Sequence, residues 1–227
     1  MADAAVRSRV FDGLTDGERR HWMSAAAVVA TDRGDTLVRQ GDSADRFFIL
    51  DSGFLKLLQA TSEGAELIIR FVGPGEPFGG VVALGPGQYP VTAMSVQPSK
   101  LFAWSSAALI DLLTKFPRVR TNIMREMSNH MMDAMTRMRE LTSAPVEQRL
   151  AYTVLRLGRQ YGQKSEEGLR IAQPLTRQDL ADLTGTTLYT VSRTLSKWQQ
   201  MGLVTSRQRH LIVPSMARIE SLANERS

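Results

Sequence analysis

The spacing of apolar positions changes repeatedly along this chain. In residues 14–29, Leu14, Trp22, Ala26 and Val29 stand among Thr15, Asp16 and Glu18, which predicts a capped helix leading into a first domain. From residue 34 to 104 the pattern becomes short apolar runs, 36–38, 46–50, 54–59, 67–71, 91–96 and 101–104. Between them stand Gly41, Ser52-Gly53, Glu63-Gly64, Gly73-Pro74-Gly75 and Gly85-Pro86-Gly87. Strands punctuated by glycine turns at a spacing of roughly ten residues predict an all-β barrel or sandwich. Residues 78–84 interrupt it: they are too apolar for an exposed loop and predict a short helix closing a pocket.

After Ser105-Ser106, which can cap, residues 107–115 predict a short helix, and Pro117 opens a longer one reaching about residue 141. On it Val119, Ile123, Met127, Met131, Ala134, Met138 and Leu141 recur three or four residues apart, a stripe of coiled-coil type that wants a partner. Ile123, Met127, His130, Met131, Ala134, Met138 and Leu141 are the expected dimer seam. The competing account is packing on the chain's own β domain. Met124, Met132 and Met135 make the helix apolar on more than one side, which favours a partner, and methionine-rich faces tolerate repacking. Residues 142–145, ending in Pro145, predict a hinge. Residues 146–161 follow as an amphipathic helix with Leu150, Val154 and Leu157 inward, then a polar loop at 162–168 and a short strand at 169–172.

Residues 175–198, LTRQDLADLTGTTLYTVSRTLSKW, have the pattern of a helix-turn-helix. Thr176 and Asp179 form a capping-box-like start, and Leu180, Ala181 and Leu183 supply an apolar face. Gly185 stands where the chain must turn sharply, and Thr187 can cap the second helix. That helix buries Val191 and Leu195 and turns Tyr189, Ser192, Arg193, Ser196 and Lys197 outward. An outer face made of donors suits the DNA major groove, where an arginine forks onto guanine O6 and N7. Residues 202–204 and 211–213 flank SRQRH, predicting a β-hairpin wing with Arg207 and Arg209 at its tip. Any antiparallel helix pair with a glycine turn shares part of this pattern, so the rest of the chain has to decide.

Charge strengthens the DNA reading. The 227-residue chain carries a net charge of +5, yet residues 1–142 hold 16 Lys+Arg against 16 Asp+Glu. Residues 143–227 hold 12 against 7, so the whole excess lies with the helix-turn-helix, where a positive field would meet phosphates. Cysteine is absent, which removes disulfides, thiol catalysis and cysteine-held iron–sulfur clusters. The N-terminus has no apolar core of a signal peptide, and no run is long enough to span a bilayer, so a cytoplasmic protein without membrane contact is expected. No histidine occurs between residues 34 and 104, which argues against a metal-dependent enzyme built on a β-barrel and predicts no metal site. Gly-x-Ser-x-Gly, a phosphate-binding loop and His-Glu-x-x-His are likewise missing, so an enzyme is not expected.

With β domain, long apolar helix, proline hinge and winged helix-turn-helix in this order, the chain resembles the CRP/FNR family of bacterial transcription regulators over roughly residues 12–222. GDSADRFFILDSGFLKLL at 41–58, GPGEPFG at 73–79 and LTRQDLADLTGTTLYTVSRTLSKWQQMGLV at 175–204 carry the resemblance. It implies an α+β fold: an N-terminal β-roll (jelly-roll-like) sensor domain at 1–116, a dimerisation helix at 117–142 and a winged helix-turn-helix at 143–227. The implied partners are double-stranded DNA with a palindromic operator, a second copy of the chain, RNA polymerase and a small effector. By the same resemblance Thr176, Arg177 and Gln178 touch phosphates, and Leu188, Tyr189, Ser192 and Arg193 face bases. Thr187, Lys197, Arg207 and Arg209 complete the expected DNA-binding set. A Ser-Arg pair fits the oxygen-sensing branch, but Tyr189 stands where that branch and the cyclic-AMP branch carry a glutamate.

The implied effector pocket comprises Gly79, Gly80, Val81, Pro90, Val91, Ala134 and Met135. Cyclic-AMP members carry an acid, an arginine and hydroxyls at these places. Their replacement argues against cyclic AMP, since a desolvated phosphate needs a partner; Arg70 and Lys100 are the remaining cations that a shifted alignment would offer. The haem-based gas-sensing branch stays open, with His21 and His130 as axial candidates. The plainer account leaves His21 on a polar helix and His130 bonding across the dimer. His210 belongs to the wing, as a phosphate contact or plain surface. An effector-independent DNA-binding protein with a vestigial sensor domain is the remaining alternative.

Overall fold

The structure is a computed structural model describing residues 3–60, 66–85 and 87–224; the expected turn at Glu63-Gly64 and Pro86 of the next turn lie outside them. The chain divides into two units, Met1–Ala134 and Met135–Ser227, with the boundary inside the long helix rather than at residues 142–145.

In the first unit α1 (Asp3–Val6) and a 3-10 turn at Arg9–Phe11 precede α2 (Asp16–Ser24). Thr15 Oγ1 accepts from the Glu18 amide at 3.3 Å and the Glu18 carboxylate accepts from the Thr15 amide at 2.7 Å, a reciprocal cap. The helix is shorter than its apolar pattern predicts. Val28 and Val29 leave it for β1 (Ala27–Thr31), where they pair with Phe102 and Leu101. Then come β2 (Thr36–Val38), β3 (Arg46–Ser52), β4 (Leu55–Ala60), β5 (Glu66–Val72), β6 (Pro77–Phe78), a 3-10 helix at Gly80–Leu84, β7 (Thr92–Ser95) and β8 (Ser99–Ser105). They form two antiparallel sheets in the orders β1-β8-β3-β6 and β2-β7-β4-β5. Sequence neighbours are mostly not sheet neighbours, which is how a β-roll closes its two faces over one core.

That core is aromatic at one end. Trp22 and Trp104 meet edge-on at 6.1 Å, Phe11 packs on both, and Trp104 Nε1 donates to the Trp22 carbonyl at 2.9 Å. After α3 (Ser106–Lys115), capped by Ser105, comes α4 (Pro117–Ser143). Its first turns are tied to the N-terminal segment: Val119 and Ile123 are buried, and buried Asn122 donates through Nδ2 to the Val10 and Asp12 carbonyls, both at 3.0 Å.

In the second unit α5 (Val146–Tyr161) leads into β9 (Gly162–Ser165) and β10 (Gly168–Ile171). Residues 162–165, expected as loop, pair along β10 with exposed side chains, so the strand is held by backbone bonds that leave no apolar signature. Next are α6 (Arg177–Thr184), α7 (Leu188–Gln200), β11 (Thr205–Arg207), β12 (His210–Val213) and α8 (Met216–Asn224). The sheet order is β11-β12-β10-β9. The wing's first strand starts at Thr205, later than expected, because Leu203 and Val204 are buried in the approach to it. The C-terminal turns of α4 belong here. Arg137 donates to the Leu183 carbonyl, Glu140 and Arg156 pair at 3.2 Å, and Leu141 lies against Gly185. These contacts explain why the boundary falls earlier than Pro145.

Replacing Asn122 with Ala takes the donor from the buried Val10 carbonyl and the part-buried Asp12 carbonyl. Urea unfolding should show a loss of about 1–3 kcal/mol, the range for a buried group deprived of its partner; an unchanged midpoint would mean that those carbonyls reach water.

Candidate functional site

The recognition elements are assembled by local caps. Thr176 Oγ1 accepts from the Asp179 amide at 2.9 Å, and buried Asp179 accepts from the Thr176 amide at 2.9 Å, fixing the start of α6. Gly185 ends that helix at φ 59°, ψ 46°, a conformation cheap only for glycine, and Thr187 caps α7 by accepting from the Thr190 amide at 3.2 Å. Val191, Leu195 and Trp198 are buried, so α7 can rotate no further. Leu188, Tyr189, Arg193 and Ser196 are left exposed and Ser192 half-exposed. Tyr189, at 74% of its full exposure, is more open than Leu188, the other exposed large apolar side chain of the helix.

Not every expected contact lies on that face. Lys197 turns back to α5, bonding both Glu147 oxygens at 3.1 Å, while Trp198 Nε1 donates to the same carboxylate at 2.8 Å. Burial works against the Glu147 charge, but the Trp198 and Lys197 bonds outweigh it and hold its carboxyl below the usual range. Lys197 is therefore a strut between helices. Gln178 donates to Asp182 at 2.6 Å on its own helix, whereas Arg177 is exposed and, with Gln199 and Ser206, lines a small groove gathered from α6, α7 and β11. Gln199 and Ser206 escape periodicity because their neighbourhood is made by the wing folding back.

The wing turns on Gln208 and Arg209 alone, with φ of 47° and 68°, a tight hairpin turn normally given to Asn-Gly. Two long polar side chains occupy its tip. Exposed Arg207 pairs with Glu167 at 2.7 Å, and His210 Nδ1 bonds the Ile171 carbonyl at 3.0 Å, which makes it part of the sheet rather than plain surface.

In the first unit a cavity of about 210 Å³ lies between the strands, the 3-10 helix and α4. Gly79, Gly80, Val81, Pro90 and Val91 line it as expected. Gly79 is at φ 78°, and a Cβ there would stand 2.7 Å from the Arg46 carbonyl, so the wall needs glycine. Ala134 and Met135 do not line it. Both are exposed, and the helix reaches the cavity through Ile123, Glu126, Met127 and His130 instead. The residues expected at the seam divide between two faces of the helix, with Met131, Ala134 and Met138 exposed. Ile123 is buried, Met127 packs on the β-roll core, His130 faces the cavity, and Leu141 is half-buried against Gly185. What remains exposed is Met124, Met131, Met132, Met135 and Met138, with 124, 131 and 138 seven apart. The apolar stripe thus runs on the adjacent face of the same helix.

Arg70 lines the cavity, but its guanidinium bonds Glu76 at 3.2 Å and the Phe71 and Pro77 carbonyls at 3.1 and 3.0 Å. Lys100 pairs with Asp51 and does not line it. A phosphate would find no spare cation. Of the two candidate haem ligands only His130 lines the cavity. The volume is below the roughly 300 Å³ at which pockets begin to hold drug-sized ligands, and exposed His21 packs on Phe116 away from the lining. Among the described residues no helix is long and apolar enough to cross a membrane.

Burial, reinforced by the charge of Arg70, lowers the His130 pKa to about 4. Between the ordinary value of 6.5 and about 4 the unfolded chain binds a proton that the folded chain refuses, so stability falls as pH falls through that window. His130→Gln should lose less stability than the parent between pH 7 and pH 5 in urea titrations; equal losses would place the imidazole in water.

The cyclic nucleotide-binding domain family matches residues 28–116, and the Crp-like helix-turn-helix domain family matches residues 148–222. The chain is 22% identical over 219 residues to the CRP-like cAMP-activated global transcriptional regulator of Mycobacterium tuberculosis, covering 96% of this chain and 98% of that one. It is 27% identical over 191 residues to the fumarate and nitrate reduction regulatory protein of Salmonella typhimurium, covering 84% and 76%. FixK2 from Bradyrhizobium japonicum superposes with a TM-score of 0.78 at 21% identity, over 89% of this chain and 99% of that one.

Proposed function

The chain belongs to the CRP/FNR family of transcription regulators, and on that premise we propose that it acts as a homodimer on a palindromic operator under control of an effector in the β-roll cavity. The observation that carries the reading is the outer face of α7, where Tyr189, Ser192 and Arg193 stand clear of a helix pinned by Val191, Leu195 and Trp198. A helix held so firmly can present one set of side chains to a major groove. Arg193 reads a guanine by its bidentate fork, Ser192 reaches a base or phosphate, and Leu188 and Tyr189 contact the neighbouring step. Thr176, Arg177 and Gln178 at the start of α6, with Thr187, Arg207 and Arg209, hold the backbone. Lys197 adds its charge to the same side while bracing α7 through Glu147, as Arg207 does from its pair with Glu167.

Two copies join along the exposed methionines of α4, whose seven-residue repeat is that of a helix-helix seam. Half-site centres then lie about one helical turn, ~10 base pairs, apart or a small multiple of it. Contact with RNA polymerase would turn operator occupancy into control of transcription. The effector differs from cyclic AMP, since Arg70 is already engaged and no other cation among the described residues lines the cavity.

Arg193→Ala should cost about 1–3 kcal/mol of operator binding and relax preference at one guanine, whereas Arg177→Ala should weaken all sequences alike and lower the salt slope by about one. Binding to an operator and its single-base variants across a salt series distinguishes them, and uniform weakening by both would remove Arg193 from base reading. Met131→Glu, at an exposed position, should leave folding intact and give monomers with poor operator affinity by sedimentation. Dimers that survive it would move the interface off this stripe.

A further inference from the structure

The polar groups of the β-roll cavity are few, and most are already committed. Tyr89 Oη donates to the Arg46 carbonyl at 2.8 Å and accepts from the Arg46 amide at 3.0 Å. The Arg70 charge is met by Glu76. Glu126 and His130 remain. Both are half-buried, both line the cavity, and neither makes a hydrogen bond among the described residues. They stand one helical turn apart on α4, so a single ligand group placed between them can reach both.

Their chemistry defines what that group must be. Arg70 is already engaged by Glu76 and the imidazole is uncharged, so Glu126 is the charged group of the lining that has no hydrogen-bonding partner among the described residues. A carboxylate without a partner beside apolar walls is satisfied best by a charged donor. A neutral imidazole adds one acceptor and one donor. The other walls are apolar, chiefly Phe47, Leu57, Phe78, Val81, Ile123 and Met127, and they call for an apolar body. A cavity of about 150 Å³ accepts benzene, so 210 Å³ has room for a benzene ring with a short side arm.

We propose that this cavity binds a small, largely apolar amine, whose ammonium group donates to the Glu126 carboxylate and to the acceptor nitrogen of His130 while its hydrocarbon body fills the space under Val81. The proposal rests on the reading of the cavity as the effector site and reverses the ligand charge that a cyclic nucleotide would bring. Its physical consequence is direct: the ammonium sits on a turn of α4 whose adjacent face carries the methionine stripe, so the ligand bears on the element that carries the proposed dimer contact.

Calorimetric titration of the full chain with phenethylamine, with 3-phenylpropionate as its anionic counterpart and with cyclic AMP, tests this. Phenethylamine should bind at least tenfold more tightly than either anion. Glu126→Gln should weaken it about tenfold to a hundredfold, the range for a hydrogen bond to a charged group. Val81→Trp, which fills the cavity and leaves its charges alone, should abolish binding, and thermal unfolding of each variant checks that it folds. Equal or tighter binding of either anion, amine binding that survives Glu126→Gln in a folded protein, or no amine binding at millimolar concentration would each overturn the proposal. Operator binding of the parent chain is measured in parallel. A chain that takes the amine through Glu126 but ignores DNA would sink the regulatory reading and leave the amine site standing.

Discussion

Helix α4 has to satisfy two environments with one periodicity. At 3.6 residues per turn, Val119, Ile123, Met127 and His130 come round to one side, and Met124, Met131 and Met138 to another. The first set is consumed by the β-roll: Val119 and Ile123 are fully buried, each a contribution of about 1.5–3 kcal/mol, and Met127 and His130 complete the cavity wall. Asn122 locks the rotation of the helix by bonding two carbonyls of the N-terminal segment. With that side fixed, the methionines have nowhere to go but outward. The cavity and the exposed stripe are therefore two consequences of one helix orientation.

A cavity wall that is also an exposed apolar face gives a route for control with few parts. A ligand that meets Glu126 and His130 acts on the helix itself rather than through a chain of loops, and methionine side chains, being unbranched and polarizable, can repack after a small rotation. The largely apolar walls of the cavity and its engaged Arg70 set this chain apart from what a phosphate ligand requires, although the surrounding β-roll matches the cyclic nucleotide-binding domain family. Retaining the strand scaffold while replacing the polar contacts is how a fold passes from one ligand to another.

The DNA-reading unit relies on a different device. Around a buried core that includes Leu150, Val154, Val191, Leu195 and Trp198, its helices are set by caps and struts: the Thr176-Asp179 box, the left-handed Gly185, and Glu147 gripping both Lys197 and Trp198. These fix the angle at which α7 is offered. Exposed positive charge also stands on Arg177, Arg193 and Arg209, with Arg207 of the wing paired to Glu167.

Local physics was legible in the order of residues. Caps, the glycine between α6 and α7, the proline before α5 and the inward rows of α5 and α7 depend on neighbours within a few positions, so Thr176, Gly185, Pro145, Val191 and Leu195 announce them. The strands from Thr36 onward could be read because glycine and proline punctuate them, and the family followed from the sequence of elements. What stayed hidden depended on groups distant along the chain. Apolar periodicity says that a residue is buried, not against what, so it could not divide the α4 methionines from Ile123 and Met127. Nor could it reveal that Glu147, fifty residues away, claims Lys197, that polar β9 pairs with β10 through its backbone, or that Glu126 and His130 face one cavity with Arg70. Burial and ion pairing are decided by which surfaces meet, and only the folded chain brings those surfaces together.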